Sequence, residues 1–193
     1  GVGVPGCPGL LIGWNENVAW GASALGADQA DLFRLQTDAN HPDRYFLDGK
    51  WRDMAVRRET LAVKNGQPIE LLVRETVFGP VVTAFAFAIA GDPQVALKRV
   101  PVCSNDSGTF RAMLAMMRAK DADGFARAIS TWQFPSLNLI FGDKKGDIGY
   151  WLLAAIPVRS ALDTQQGAAA VDGTRSEMDN WQGFVPHDLL PRV

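Results

Sequence analysis

The residues whose types and spacing best suit chemistry are Asp28 and Asp31, three apart in "GADQADLF". Two neighbouring carboxylates repel unless water, hydrogen bonds or a cation intervene, and such hard oxygen ligands suit calcium. Two solvated loop acids are the plainer alternative. Other catalytic patterns are missing. Cys7 and Cys103 form no CxxC pair, and with only His41 and His187 beside them the ligands for a zinc site lack number and spacing. The two cysteines are either one disulfide or two buried thiols. There is no GxSxG elbow, and Ser23 is on no strand-to-helix turn of that kind. No glycine-rich phosphate loop precedes a helix. The many acids select no single glycosidase-like pair. Read from residue types alone, the chain is a soluble α+β module without a self-contained catalytic constellation.

Bulk properties agree. The chain has 193 residues, 47% hydrophobic and 21% charged, which suffices for a sizeable core. A formal charge of −2 gives no pull toward nucleic acid or anionic membrane. The longest apolar run, from Pro80, has strand length and composition and falls short of a membrane span. The first residues, "GVGVPGCPG", and the last, "HDLLPRV", read as cuts from something longer.

Three regions position these residues. Residues 1–35 hold a Gly/Pro-rich opening and a hairpin, with Asn15-Glu16-Asn17 as its turn. Asparagine there is expected to supply the positive φ of tight turns. Residues 42–100 read as all-β: Asn65-Gly66 separates two strand-like runs, and Phe85 and Phe87 share one face of a further strand. Residues 104–133 change period. Ser104, Asn105 and Asp106 offer N-caps, and Phe110, Met113, Leu114 and Met117 form a helical stripe. A second short helix starts near Asp121 or Asp123, carries Phe125, Ile129 and Trp132, and ends before Pro135. Two strands follow around Asp143-Lys144-Lys145-Gly146, and a loop-like composition begins at Pro157. Strands, two helices, then strands predict an α+β fold.

The motifs then carry a resemblance. "PGCPGLLIGWNENVAWGASALGADQADLF" resembles the β-chain of the penicillin acylase family of N-terminal nucleophile hydrolases. The likeness continues through "YFLDGKW", "RRETLAVKNG", "RETVFGPVV", "LNLIFGDKKGDIGYWLLAAIPVR" and "WQGFVPHDLLPRV", in order and at similar spacing. It implies part of an αββα sandwich, with a β-rich excursion near residues 40–100 and the helical pair near 104–133. It also implies that residues 1–193 are an internal fragment of a β-chain. The parent then hydrolyses a linear amide, such as the N-acyl group of a β-lactam or an acyl-homoserine lactone. An N-terminal Ser is the nucleophile and its α-amino group the base. That Ser is expected before Gly1, and the side-chain oxyanion donor after Val193, so the isolated chain is expected to be inactive.

Residue by residue, the resemblance gives Ala24 a backbone N–H in the oxyanion hole, where a small residue lets main chain approach within about 3 Å of the oxyanion. It makes Leu11, Ile12 and Leu137 part of the acyl pocket, with Trp14 at the rim where His is common. It makes Asp28, Asp31 and the carbonyl of Ala30 calcium ligands in members that bind the metal; no organic cofactor is implied. The implied partners are the α-chain, the rest of the β-chain and a small N-acylated amide, with no nucleic acid and no membrane. The implied location is periplasmic or secreted. The alternative is a non-catalytic β-rich ligand- or carbohydrate-binding module with Trp14, Trp51 and Trp181 as exposed stacking platforms.

Overall fold

A computed structural model describes residues 1–3, 5–6, 9–82, 94–100, 108–162, 167–179 and 181–193. The expectations for Cys7, Cys103, Phe85, Phe87 and the caps at residues 104–106 lie outside these. The chain begins with β1 (Val2–Gly3), β2 (Leu10–Trp14) and β3 (Val18–Ala24). Next come β4 (Ala30–Arg34), β5 (Thr37–Asp38), β6 (His41–Leu47), β7 (Lys50–Asp53), β8 (Ala55–Leu61), β9 (Ile69–Thr76), β10 (Gly79–Pro80) and β11 (Val95–Arg99). Two helices follow, α1 (Gly108–Met116) and α2 (Ala122–Ala128). The chain then returns to strands: β12 (Leu137–Asp143), β13 (Ile148–Leu153), β14 (Pro157–Arg159), β15 (Val171–Asp172) and β16 (Trp181–Phe184). These residues divide into two compact units, Gly1–Gln29 with Val100–Val158 and Gly183–Val193, and Ala30–Arg99 with Arg159–Gln182.

The first unit is built on a five-stranded sheet in the order β1-β2-β3-β12-β13. Strand alternation sends Val18 and Trp20 of β3, and Leu137, Leu139 and Phe141 of β12, into one core with the two helices. Phe125 of α2, fully buried, sits with its ring 5.4 Å from Trp20 and 4.7 Å from Phe141. Opposite Phe141 on β13 stands Gly149. A Cβ there would lie 2.4 Å from the Phe141 ring, so the glycine makes room for the aromatic. The three apolar residues predicted for the second helix are all buried, but α2 ends at Ala128: Phe125 lies on it, Ile129 opens a 3-10 turn and Trp132 follows in extended backbone. Asp121 caps the helix by accepting from the Gly124 N–H at 2.8 Å.

The stripe of α1 is displaced from its prediction. Met113 is buried, but Phe110 and Leu114 are exposed, and Gly108, Ala112 and Met116 complete the inner face. Small residues win that face because the helix packs closely: a Cβ on Gly108 would meet the Thr131 carbonyl oxygen at 2.6 Å. The first hairpin forms as expected, for a different reason. The non-glycine residues with positive φ among those described are Asp48 and Asn65. Asn15 acts through its side chain instead. Its Oδ1 accepts from the Asn17 and Val18 N–H groups at 2.8 Å, and its Nδ2 donates to the Met117 and Ala119 carbonyls at 3.0 and 2.9 Å. One amide therefore closes the hairpin turn and holds the turn that follows α1.

The second unit holds three small sheets, β10-β9-β8, β11-β4-β15 and β5-β6-β7. Its core gathers Phe33, Leu35, Tyr45, Leu47 and Phe78, with Phe33 stacked on Phe78 at 4.3 Å. The Asn65-Gly66 signal sits in the β8–β9 connection, with Asn65 at φ 60°. Asp143 organises the β12–β13 turn: its Oδ1 accepts from Lys145 N–H at 2.8 Å, and its Oδ2 from Ala122 N–H at 3.0 Å.

His187, at the start of a short 3-10 turn, packs on Trp151 with ring centroids 4.8 Å apart. Burial, aided by the Arg192 charge and opposed by Asp188, holds its pKa below the ordinary 6.5. A folded pKa below the unfolded one means the unfolded state binds the extra proton first. The neutral imidazole's contribution is complete above about pH 6.5 and is lost as pH falls through the folded pKa. His187→Gln is expected to flatten the fall in Tm on mild acidification, as measured by thermal melts across that range.

Candidate active-site segment

Ala24 closes β3, exposed, opposite Leu137 of β12. The next residue, Leu25, donates its N–H to the Ser136 carbonyl at 3.2 Å. Antiparallel pairs alternate between hydrogen-bonded and non-hydrogen-bonded, so the Ala24–Leu137 pair is of the second kind. The Ala24 N–H therefore turns away from β12. Strand β2 pairs with β3 at Gly13–Trp20 and Trp14–Ala19, toward the other end. Ala27 N–H is taken by the Ser136 hydroxyl at 3.3 Å, which holds the chain beyond the strand.

The sheet face opposite the helices carries Ser23, Asn138 and Tyr150 beside this strand end. Tyr150 donates to Asn138 Oδ1 at 2.8 Å, and Asn138 Nδ2 lies 3.4 Å from both the Ser23 hydroxyl and the Ala24 carbonyl. Further along the same face, Gly21, Ile140 and Ile148 border an open apolar depression of about 490 Å³. Three residues of strand, roughly 10 Å, separate Gly21 from Ala24. Of the residues assigned to an acyl pocket, Leu137 is 5% exposed in the helix-side core. Leu11 packs against that core, and Ile12 is half-buried opposite Val2.

Asp28 is exposed in the segment leaving β3, within the first unit. Ala30 and Asp31 open β4 in the second unit. The Asp31 side chain is 3% exposed and faces Arg159, itself 6% exposed. Arg159 Nη2 lies 2.9 Å from Oδ1, and its Nε 3.0 and 3.1 Å from the two carboxylate oxygens. The same guanidinium reaches the Ala30 carbonyl at 3.5 Å. Trp181 donates its indole N–H to Asp31 Oδ2, while Lys98 sits over the Trp181 ring and pairs with Asp179. Two carboxylates and two cations already balance here, and no three His, Cys, Asp or Glu side chains converge among the described residues. Asp31 and Ala30, as folded, both face the Arg159 guanidinium.

Of the three tryptophans expected to be exposed, Trp14 and Trp51 are exposed and Trp181 is half-buried. Trp14 is 68% exposed, but Trp51 packs edge-on against Phe46 and the Trp181 indole is engaged with Asp31. Asn138, Tyr150 and Arg159 were invisible as site residues in the sequence. Their partners lie across the sheet or up to 128 positions away.

The penicillin amidase family model matches residues 1–193. The chain is 30% identical to penicillin G acylase of Escherichia coli over 193 residues, covering 96% of this chain and 21% of that protein. It is 28% identical to the acyl-homoserine lactone acylase QuiP of Pseudomonas fluorescens, covering 99% of this chain and 23% of that protein. A thermostable penicillin G acylase from Alcaligenes faecalis superposes with a TM-score of 0.75 at 26% identity, over 97% of this chain and 32% of that one. This β-rich segment with two helices thus has the structure of part of an N-terminal nucleophile hydrolase. The chain belongs to the penicillin amidase family. It spans roughly a fifth to a quarter of the length of these curated relatives.

Arg159→Met is expected to lower stability by about 3–5 kcal/mol by stranding the buried Asp31 carboxylate. Treating the unaltered protein with EDTA is expected to leave its Tm unchanged. A clear drop in Tm with EDTA, reversed by added calcium, would show a metal at this position.

Proposed function

We propose that this chain is an internal segment of the β-chain of an amidohydrolase that cleaves a linear amide by acyl transfer. The supporting observation is the end of β3, where family membership and strand register coincide: the position matched to a backbone oxyanion donor is the one whose N–H the β12 ladder leaves unused. In this reading the N-terminal Ser of the parent β-chain attacks the acyl carbon, and its hydroxyl proton passes to the α-amino group. The carbonyl oxygen becomes an oxyanion held by the Ala24 N–H and by a second donor from outside this segment. Collapse expels the amine, which takes up the proton, and water releases the acid from the acyl-enzyme. The sheet face bearing Ser23 and Ile140 then packs within an αββα sandwich completed by the rest of the parent.

The substrate class follows the relatives, penicillin acylases and acyl-homoserine lactone acylases alike: a small amine or lactone carrying an N-acyl chain. Ile12 is half-buried on β2 of the sheet that carries the depression, and an aliphatic residue there suits an aliphatic acyl group.

The full-length protein is expected to mature into two chains and to hydrolyse a chromogenic N-acyl amide, whereas the isolated 193-residue chain is not. Ala24→Pro removes the proposed donor at a strand end where no β12 bond depends on it. It is expected to reduce kcat by about 100- to 1,000-fold. Ala24→Gly, which keeps the N–H, is expected to stay within about tenfold of the unaltered enzyme, the range set by loop freedom alone. An uncut, inactive full-length product would refute the assignment.

A further inference from the structure

An oxyanion donor that is a lone peptide N–H is useful only if its direction is fixed before the reaction begins. Ala24 stands at an exposed strand end, the part of a sheet where backbone direction is least determined by its ladder. The N–H of interest belongs to the peptide joining Ser23 and Ala24. On one side of that peptide is the Ser23 side chain, on the other the Ala24 carbonyl. Asn138 Nδ2 lies 3.4 Å from each. Both contacts are long for single hydrogen bonds, but together they straddle the peptide and oppose rotation in either sense.

The asparagine is itself oriented. Tyr150, on the neighbouring strand β13, reaches across to donate its hydroxyl proton to Asn138 Oδ1 at 2.8 Å. In the register, Asn138 stands opposite Leu152, so Tyr150 is its diagonal neighbour, within reach of a long side chain on the same face. A phenol that donates to Oδ1 fixes which end of the amide faces β3, leaving the NH₂ group on Ser23 and Ala24. The three side chains thus cross three adjacent strands, β13 to β12 to β3, and end on the catalytic peptide. Ser136 secures the next stretch of chain from the same side, through its carbonyl to Leu25 and its hydroxyl to Ala27.

We propose that Asn138, oriented by Tyr150, is the positioning residue that aims the Ala24 N–H at the oxyanion. The inference rests on the reading of Ala24 as a backbone donor and adds to it the device that fixes the donor's direction. Neither side chain is assigned contact with substrate.

The test uses the matured full-length enzyme. Asn138→Ala is expected to lower kcat by about 10- to 100-fold, the scale of a misplaced group near the reacting atoms, with KM changed less than about twofold. Tyr150→Phe removes one hydroxyl and is expected to lower kcat several-fold. The double variant is expected to match Asn138→Ala alone, because the tyrosine acts through the asparagine. Hydrogen exchange of peptides covering Ala22–Ala27 is expected to quicken in both single variants while exchange in α1 and α2 is unchanged. Full kcat in both variants, or a kcat loss in Tyr150→Phe that adds in full to that of Asn138→Ala, overturns the proposal. So does unchanged exchange at Ala22–Ala27, whatever the activity. Failure of the donor reading is separate: exchange responds as described, yet Ala24→Pro keeps full kcat.

Discussion

The antiparallel register between β3 and β12 runs unbroken for seven pairs, from Val18–Asp143 to Ala24–Leu137, and most of the first unit depends on it. A slip of β12 by one residue would turn Leu139 and Phe141 out of the helix-side core and bring Asn138 and Ile140 into it. The same register settles which N–H groups at the strand end are spoken for. Core packing and site geometry are therefore two faces of one ladder. The large aromatics on one side, clustered around Phe125, make the slip costly and so protect the polar arrangement on the other.

Side-chain amides and carboxylates do the joining that the ladder alone cannot. Asn15 binds the first hairpin turn to the turn that follows α1, and Asp143 binds the last hairpin turn to the start of α2. The β2–β3 and β12–β13 hairpins are thus each tied at the tip to a helical segment. In the second unit, Asp31 plays a comparable part with a full charge, bringing Arg159 and Trp181 onto β4. Buried at 3% exposure, that carboxylate tolerates its position because hydrogen-bond donors surround it.

What the sequence revealed was local or periodic. The Asp143–Gly146 turn, the Asn65-Gly66 connection and the buried set Phe125, Ile129 and Trp132 each reside in a few consecutive residues, and each is present in the fold. The stripe of α1 went astray because bulk was taken as the mark of burial. Close approach to Thr131 instead selected Gly108. The role of Asn15 was hidden because its acceptors lie 102 and 104 residues away. Asn138 meets Ser23 across 115 residues and Arg159 meets Asp31 across 128, so neither pairing leaves a trace in local pattern. Family motifs singled out Asp31 as a calcium ligand, and its contact with Arg159, 128 residues away, has no local signature in the sequence.

The sheet face away from the helices has a consequence for how such a segment is inherited and made. Ile140 and Ile148 stand 61% and 85% exposed on it, beside glycines that leave the backbone nearly bare. In water such a surface invites sticking to any other apolar or strand-edged surface, including another copy of itself. A ribosome releasing this stretch before its neighbours would create an aggregation-prone intermediate. For the proposed parent, the speed with which another layer covers those isoleucines during synthesis thus becomes part of reaching the fold.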